Sequence, residues 1–175
     1  SSDLYQVCRK CFLIYQNPRI ICNYDDNYWK GSIDPDGRNR DLTQEREFKI
    51  RNWYGCAVSA VNELPGGRIL DAGAGLGFYL SSLGLHWEKY GLDISEYAVR
   101  FMQKNDSNII ANIGTLETVD FPKNYFDVVM FYHVIEHLEK PHKAFKIIKN
   151  ILKSGGLLII GTPNTGSIAA KIFRG

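Results

Sequence analysis

From residue 43 onward, the order of apolar and polar positions predicts strands that alternate with helices. Short, continuous apolar runs are typical of strands that are buried on both faces. Five segments are predicted to be strands: Arg68–Ala72, Glu88–Ile94, the weaker Asn108–Ile113, Phe126–Tyr132, which is continuous in apolar residues, and Leu157–Ile160. Apolar residues at helical spacing predict helices from Thr43 to the Pro65-Gly66-Gly67 break, over Phe78–Leu85, after the N-cap Ser95, and over Pro141–Leu152.

Strands and helices of these lengths predict right-handed crossovers and a parallel sheet that is covered on both faces. The expected fold class is α/β, with a doubly wound, Rossmann-like, mostly parallel sheet. Residues Lys153–Gly156 are expected to separate the last helix from the last strand. Because ligands of such sheets bind beyond the carboxyl ends of the strands, the chemistry is expected after Leu70, Asp93, Ile113 and Tyr132.

Residues 1–42 lack this periodicity, and they are assigned to an N-terminal segment that precedes a domain of residues 43–175. The segment is rich in aromatic residues, turn formers and charges. Tyr24, Tyr28 and Trp29 could form a lid over a bound ligand or pack against the core. The pattern does not separate these two roles.

Composition excludes several classes of protein. The chain has 175 residues, of which 45% are hydrophobic, the size and make-up of one ordinary domain. Its 21 basic and 19 acidic residues are interspersed, which argues against a surface for nucleic acid or anionic membrane. No apolar run approaches the ~20 residues that span a bilayer, and no secretory signal opens the chain. Four sparse cysteines, Cys8, Cys11, Cys22 and Cys56, favour a reduced, cytoplasmic protein over a disulfide framework.

A glycine-rich loop follows the first predicted strand. Asp71 precedes Gly73, Gly75 and Gly77, and closely spaced glycines let a ligand approach bare backbone. Asp93 ends the next strand, 18 residues after Gly75. An acid about 20 residues beyond such a turn is placed to bond both hydroxyls of a ribose. The loop and the acid together predict a site for an adenosine-type ligand.

The residues around the glycines discriminate between adenosine ligands. The dinucleotide fingerprint G-x-G-x-x-G requires a small residue where this chain has Phe78. No G-x-x-x-x-G-K-[ST] sequence is present, which excludes a phosphate-binding P-loop. Asp71 would repel a pyrophosphate, and it suits a cofactor with a positive, amine-bearing end.

Four motifs, in order, resemble those of the class I S-adenosylmethionine-dependent methyltransferases. They are Ile69–Gly77, Gly91–Ser95, Tyr125–Val129 followed by His133–Leu138, and Leu152–Ile160 followed by Thr162-Pro163-Asn164. The resemblance covers about residues 43–175, and its nearest group is that of the ubiquinone-biosynthesis-like small-molecule O-methyltransferases. It implies a seven-stranded fold that ends in an antiparallel hairpin. Only a helix, Ser167–Phe173, is predicted after the fifth strand, so a fold truncated before strands six and seven is expected.

The resemblance implies S-adenosylmethionine as cofactor and S-adenosylhomocysteine as product. Asp71 and the glycine backbone would hold the methionyl moiety, Asp93 would bond the ribose, and Ile94 would pack on the adenine. Thr115 stands where the family often has an acid toward the adenine amino group. The full implied site is Asp71, Gly73, Gly75, Gly77, Asp93, Ile94, Thr115 and Leu116.

Structural roles would also account for several of these residues. Asp71 could simply orient the loop, and Asp93 could complement the dipole of the helix that follows it. Phe78 and Tyr79 are expected to be core residues rather than ligand contacts.

His133, Glu136 and His137 form an H-x-x-E-H sequence. Inverted zinc proteases carry this motif on a helix, whereas here it begins at the end of a strand. Some related methyltransferases have E-x-x-E-H and use a divalent metal, but His133 replaces the first acid, and no metal is expected. The resemblance places His133 beside the sulfonium and the acceptor, where it could act as a general base. Glu136 and His137 are expected to shape the turn.

Cys8 and Cys11, followed by Tyr15–Arg19, resemble the second half of a zinc ribbon that precedes the methyltransferase domain in some sugar-modifying relatives. A structural zinc site needs four ligands, and the matching upstream C-x-x-C is missing. Reduced thiols are therefore expected here, in a chain that begins partway through a longer protein.

The sequence therefore predicts a methyltransferase that acts on an oxygen or nitrogen atom of a small molecule, such as a sugar or a quinone-type metabolite. Two alternatives stay open. An NAD(P)-binding oxidoreductase is opposed by Asp71 and Phe78, and a non-catalytic cofactor-binding module is not opposed by any residue. The N/D-P-P-Y signature of DNA amino-methyltransferases is replaced by Tyr132–Ile135 after the fourth strand, so no nucleic-acid substrate is expected.

Overall fold

The structure is a computed structural model that describes residues 5–7, 9–10, 14–16, 23–33, 37 and 39–164. The chain divides into two compact units. The first consists of residues 1–23 and 163–175, and the second of residues 24–162. In the first unit, strands β1 (Tyr5–Val7) and β2 (Ile14–Gln16) form an antiparallel pair. The predictions for the Cys8–Cys11 pair, for Cys22 and for the helix Ser167–Phe173 lie outside the described residues.

The second unit includes residues 24–42, which the sequence pattern assigned to the N-terminal segment. Its first helix, α1 (Asp26–Lys30), is capped by the Asp25 side chain, which accepts a hydrogen bond from the Tyr28 backbone amide. Strands β3 (Ser32–Ile33) and β4 (Asn39–Arg40) then form a short antiparallel pair.

The helical pattern predicted from residue 43 is present, but it is not one regular helix. A 3₁₀ turn (Leu42–Gln44) leads into α2 (Arg46–Lys49), a π-helical turn (Ile50–Tyr54) and α3 (Gly55–Asn62). Such π-helical turns are rare and occur frequently at functional sites.

The five predicted strands form one parallel sheet, which confirms the expected fold class. They are β5 (Gly67–Ala72), β6 (Trp87–Asp93), β7 (Ile109–Ile113), β8 (Phe126–Tyr132) and β9 (Leu152–Gly161). Their order across the sheet is β7-β6-β5-β8-β9, with β5 at the centre. Strands β6 and β7 are thus added on one side of β5, and β8 and β9 on the other. The carboxyl end of β5 therefore borders the crevice in which such folds bind ligands.

Helices cover both faces of this sheet. On one face, α3 and α4 (Glu96–Asn105) pack on Ile69, Val128 and Met130. On the other face, α5 (Pro141–Ile151) packs on Leu70, Val129 and Phe131. Adjacent residues of β5 and β8 thus point to opposite cores, which is why these strands appear as continuous apolar runs in the sequence.

Two local predictions were wrong. The helix expected over Phe78–Leu85 is reduced to a 3₁₀ turn at Leu80–Ser82. The hydroxyls of Ser81 and Ser82 both donate to the Phe78 carbonyl, at 3.0 and 2.8 Å, and such bonds offer the backbone an alternative to a helix. In addition, β9 begins directly after α5, and Lys153–Gly156 form an irregularity within this strand instead of a separating loop.

Candidate active site

The carboxyl ends of β5 and β6 lie side by side and carry the glycine-rich loop between them. Asp71 is paired with Gly91, and Ala72 with Leu92. Beyond this register, the backbone amides of Gly73 and Ala74 both donate to the Leu92 carbonyl, at 2.7 and 3.0 Å. The loop is therefore held against the end of β6, as the motif spacing predicted.

Asp93 connects this loop to the next helix. Its Oδ2 atom accepts a hydrogen bond from the Gly75 amide, and its Oδ1 atom accepts one from the Ser95 amide, both at 2.8 Å. Burial raises the pKa of Asp93, and the amides of Ser95, Gly75 and Ile94 act in the opposite direction. A carboxylate has about four lone-pair positions, so Asp93 keeps acceptor capacity for a ligand after bonding this loop.

Asp71 is in the opposite situation. Its side chain is only 4% exposed, and none of the described residues donates a hydrogen bond to its carboxylate. Burial, and secondly the nearby Asp93, raise the pKa of Asp71 to about 8. A buried carboxylate without a partner is costly, and a cation placed beside it would remove that cost.

All three predicted glycines are closely approached by side chains. Gly73 has a φ of 89°, and a Cβ atom there would overlap the Val134 side chain. Gly75 has a φ of 53°, and a Cβ atom would lie 3.3 Å from the Trp29 ring. Both the left-handed backbone and the close approach disfavour any larger residue at these positions. At Gly77, a Cβ atom would instead press on the core residue Met102.

Helix α1 covers the loop through Trp29. The Trp29 indole is buried and donates from Nε1 to the Ser95 hydroxyl at 2.8 Å. Ser95 in turn donates to the Tyr24 carbonyl at 2.6 Å and caps α4 by accepting from the Ala98 amide. Tyr28 stacks edge-on against Trp29, with ring centroids 4.9 Å apart. Trp29, one of the three aromatic residues noted in the sequence, therefore meets the glycine loop at Gly75.

The predicted adenine contacts lie beside the end of β6. Ile94 is exposed, and the Gly114 amide donates to the Asp93 carbonyl at 2.8 Å, which brings the loop after β7 to the same edge. In this loop the Thr115 amide donates to the Thr118 hydroxyl, whereas Leu116 is buried in the core under α5. Ile113, which pairs with Asp93 and is also exposed, had not been singled out for binding.

His133 lies at the end of β8 in an unusual backbone conformation. Its φ is 54°, which is rare outside glycine. Its Nδ1 atom lies 3.0 Å from Oε1 of Glu136, and the Thr162 hydroxyl donates to Oε2 of Glu136 at 3.4 Å. Because an ionised carboxylate can only accept, this bond places the proton on Nδ1 and leaves Nε2 as the basic atom.

Glu136 therefore orients His133, in agreement with the prediction that it shapes this turn. His137 contributes through its backbone, since its amide donates to the Val134 carbonyl at 2.9 Å. Among the described residues, no group of three histidine, cysteine or acidic side chains is arranged to hold a metal ion.

The π-helical turn adds residues that the sequence did not assign to the site. The ring centroids of Trp53 and His133 are 5.5 Å apart, and those of Tyr54 and Tyr132 are 5.4 Å apart. The Tyr132 hydroxyl also donates to the Trp53 carbonyl at 3.0 Å. Both aromatic residues fit the apolar face of an ordinary helix, and no signal in the sequence marked them as neighbours of His133.

Comparison with known proteins identifies the family. A family model described as a methyltransferase domain matches residues 70–160, just over half of the chain. The chain therefore belongs to the methyltransferase domain family, and the resemblance to the class I S-adenosylmethionine-dependent enzymes is confirmed. S-Adenosylmethionine is accordingly its cofactor, and the oxidoreductase alternative is not favoured.

Several relatives show the extent of the similarity. An uncharacterised protein of Methanocaldococcus jannaschii is 31% identical over 122 residues, which cover 69% of this chain and 57% of that protein. A ubiquinone biosynthesis O-methyltransferase of Glaesserella parasuis is 34% identical over 115 residues, covering 59% and 48%. The crystal structure of a SAM-dependent methyltransferase from Thermotoga maritima matches with a TM-score of 0.60 at 27% identity, covering 76% and 64%. The chain spans about half the length of the curated relatives it matches.

The residues at the strand ends fit this cofactor. Asp71 is a buried carboxylate that lacks a hydrogen-bond donor among the described residues, and the methionyl end of S-adenosylmethionine carries an ammonium group. Asp93 retains lone pairs for ribose hydroxyls beside the glycine loop, in which Gly73 is exposed. Within the described part of the chain, no helix is long and apolar enough to cross a membrane.

Proposed function

We propose that this chain is the catalytic domain of an S-adenosylmethionine-dependent methyltransferase that methylates an oxygen or nitrogen atom of a small molecule. The observation that carries the proposal is the pair of carboxylates at adjacent strand ends. Asp71 is buried with no donor among the residues that the structure describes, and Asp93 is oriented by two backbone amides. A ligand that presents an ammonium group at one end and ribose hydroxyls at the other complements both.

The cofactor roles follow from this arrangement. Asp71 would accept from the methionyl ammonium, and the backbone of Gly73, Gly75 and Gly77 would line the same end. Asp93 would accept from the ribose hydroxyls. Ile94 and the loop residue Thr115 would border the adenine, and the exposed side chain of Ile113 extends that apolar surface. Leu116, predicted for the same site, is buried in the core instead.

The bound cofactor supplies a methyl group on a sulfonium, which is already a good leaving group. The protein therefore needs chiefly to align the acceptor and exclude water. Trp29 over the glycine loop and Trp53 beside His133 contribute to that exclusion. For a hydroxyl acceptor of high pKa, Nε2 of His133 would remove the proton, while Glu136 holds the imidazole through Nδ1.

A quinone-type acceptor is favoured by the name of one relative, a ubiquinone biosynthesis O-methyltransferase, whereas a sugar acceptor rests on the sequence resemblance alone. The interspersed charges of this chain offer no basic stripe for a nucleic acid. A non-catalytic cofactor-binding module is the remaining alternative, and it would bind S-adenosylhomocysteine without methylating any acceptor.

A calorimetric titration with S-adenosylhomocysteine tests the proposal. Replacement Asp93→Ala removes a charged acceptor, and we expect a loss on the order of 1.5–3 kcal/mol, which is about 10- to 100-fold in affinity. Asp93→Asn retains one carboxamide oxygen and should fall between the two. Asp120→Ala, at an exposed carboxylate in a loop, is the matched control and should bind as the wild type does.

The possible outcomes separate the hypotheses. Wild-type protein that binds NAD but not S-adenosylhomocysteine would contradict the proposed function. Equal affinities for wild type and Asp93→Ala would remove Asp93 from the site. Binding without turnover on a panel of hydroxyl and amine acceptors would favour the non-catalytic module.

A further inference from the structure

Trp53 is an exposed aromatic residue beside the proposed base His133. It is 40% exposed, and its ring is tilted by 48° against the imidazole of His133, whose side chain is also partly exposed. Both residues belong to the unit of residues 24–162. A ligand that approaches His133 from solvent can therefore contact the indole as well.

The fold fixes the backbone of Trp53 but does not use its ring. Tyr132 donates from its hydroxyl to the Trp53 carbonyl at 3.0 Å, and Gly161 leaves the space that the Tyr132 ring occupies. Tyr54, the next residue of the π-helical turn, packs on the core beside Tyr79. Trp53 belongs to none of the hydrophobic clusters of the described residues. Core packing therefore accounts for Tyr54, but not for the indole at the surface.

Lys49 adds a positive charge to this surface. Its Nζ atom lies over the Trp53 ring, 5.3 Å from the ring centroid. The ring attracts the charge, but it offers no oxygen or nitrogen acceptor to an ammonium that can donate up to three hydrogen bonds. Among the described residues, this half-buried ammonium forms no hydrogen bond and no ion pair. Lys49 therefore has donors available beside the indole.

The charges around Lys49 compensate its ammonium only in part. Burial lowers the pKa of Lys49, the charge of Glu45 raises it, and the charge of Arg40 lowers it. Both carboxylate oxygens of Glu45 accept from the Arg40 guanidinium, so this acid is already engaged. An anion from outside the fold would stabilise the Lys49 ammonium.

We propose that Trp53 and Lys49 form an acceptor-binding surface beside His133, which selects a hydroxyl compound with an apolar body and a carboxylate. The apolar body lies on the indole, the carboxylate pairs with the Lys49 ammonium, and the hydroxyl faces Nε2 of His133. One ammonium matches the single charge of a carboxylate better than a phosphate, which carries up to two charges. The inference rests on the proposed function, since it names the class of acceptor at the same site.

Two matched probes test the requirement for a charge. 3-Hydroxybenzoate and 3-hydroxybenzyl alcohol have the same ring and phenolic hydroxyl, and only the first carries a carboxylate. In calorimetric titrations of protein saturated with S-adenosylhomocysteine, we expect the wild type to bind the carboxylate about tenfold more tightly, or better. Lys49→Met should remove this preference, and Lys49→Arg should retain it. Arg51→Met, at an exposed cation in the same π-helical turn, is the matched control and should also retain it.

Substitution of Trp53 tests the apolar part of the surface. Trp53→Leu should weaken the binding of both probes by about three- to tenfold, because it removes the aromatic contact and leaves the charge in place. Trp53→Phe keeps an aromatic ring and should weaken both probes less. S-Adenosylhomocysteine should bind to every variant as it binds to the wild type, since neither residue is assigned to the cofactor.

The outcomes separate this inference from the proposed function. Equal wild-type affinities for the two probes, or a preference that survives in Lys49→Met, would overturn the role of Lys49. Unchanged binding of both probes by Trp53→Leu would overturn the role of Trp53.

The cofactor provides the remaining distinction. Wild-type protein that binds S-adenosylhomocysteine but neither probe would overturn the acceptor surface and leave the proposed function intact. Weaker binding of S-adenosylhomocysteine to Lys49→Met would also overturn it, because Lys49 would then support the cofactor site. Failure of the wild type to bind S-adenosylhomocysteine would overturn the proposed function itself.

Discussion

The carboxylates of Asp71 and Asp93 are neighbours in the fold but have different surroundings. Asp93 accepts from two backbone amides, at 2.8 Å each, and so fixes the glycine loop. Asp71 is buried with no donor among the described residues, and its pKa is raised to about 8. The two aspartates thus have different roles in the proposal: backbone amides donate to Asp93, whereas Asp71 is proposed to bind the cationic end of the cofactor.

The proposed role of His133 as a general base can be tested with one substitution. Replacement His133→Asn keeps a residue that tolerates the left-handed backbone and removes the imidazole base. If the acceptor is a hydroxyl, kcat should fall by about 10²- to 10⁴-fold, while S-adenosylhomocysteine should bind unchanged. The assay is steady-state methyl transfer to an acceptor found in the panel, with exposed His142→Asn as control. Undiminished kcat in the variant would exclude His133 as the base.

At the scale of elements, Ser95 connects three parts of the chain. Its hydroxyl caps α4, accepts from the Trp29 indole of α1, and donates to the Tyr24 carbonyl. Helix α1 has only five residues, too few to be stable alone. Its position over the glycine loop therefore depends on these contacts and on the burial of Trp29.

Replacement Ser95→Ala should lower the free energy of unfolding by about 2 kcal/mol or more. It removes a helix cap and leaves the buried Trp29 Nε1 without an acceptor. Urea denaturation of a double-mutant cycle with Trp29→Phe measures the second part separately. In the Trp29→Phe background, Ser95→Ala should lower the free energy of unfolding by clearly less than it does in the wild type. Equal losses in both backgrounds would mean that the indole bond contributes nothing.

The π-helical turn is the second element that shapes the site. It interrupts the helical stretch between α2 and α3 and places Trp53 beside His133 and Tyr54 beside Tyr132. A π-helical turn shifts the residues after it relative to a regular helix. The face that these two aromatic residues present to the end of β8 therefore depends on this turn.

At the scale of the whole molecule, stability is linked to the charge state of the site. In the folded state the Asp71 carboxyl keeps its proton up to a pKa of about 8, against a reference value of 3.8. Between about pH 4 and pH 8 the folded state consequently binds more protons than the unfolded state. The ligand-free protein should therefore lose stability as the pH rises through this window.

Replacement Asp71→Asn should remove this dependence. In urea denaturation at several pH values, the free energy of unfolding of the wild type should fall by up to about 1.4 kcal/mol per pH unit. The variant should show a flatter curve and exceed the wild type in stability near pH 8, because no charge is then buried. Asp120→Asn, at an exposed loop position, should follow the wild type. Parallel curves for Asp71→Asn and wild type would show that Asp71 is not buried as an acid.

Much of the fold and part of the site could be predicted from the sequence because their signals are local. Central strands such as β8 are buried on both faces and are therefore continuous in apolar residues, and the alternation of strand and helix patterns identified the other four strands. The glycine loop and Asp93 depend on spacing along the chain, and the fold brings them together through the β5–β6 pairing. The absence of a helix after Phe78 could not be predicted in this way. It depends on the hydroxyls of Ser81 and Ser82, which both donate to the Phe78 carbonyl.

The pattern of residues by itself determined the parallel sheet and the carboxylates at the strand ends, because periodicity and spacing are properties of the chain alone. The family entered through the resemblance of four motifs to those of known methyltransferases. Tertiary structure decided which buried polar groups have hydrogen-bond partners. Within the described part of the chain, it left the Asp71 carboxylate without a hydrogen-bond donor, and it placed Trp29 on Gly75 and Trp53 beside His133. These contacts join residues far apart in sequence, and burial and charge arise only when the chain is packed.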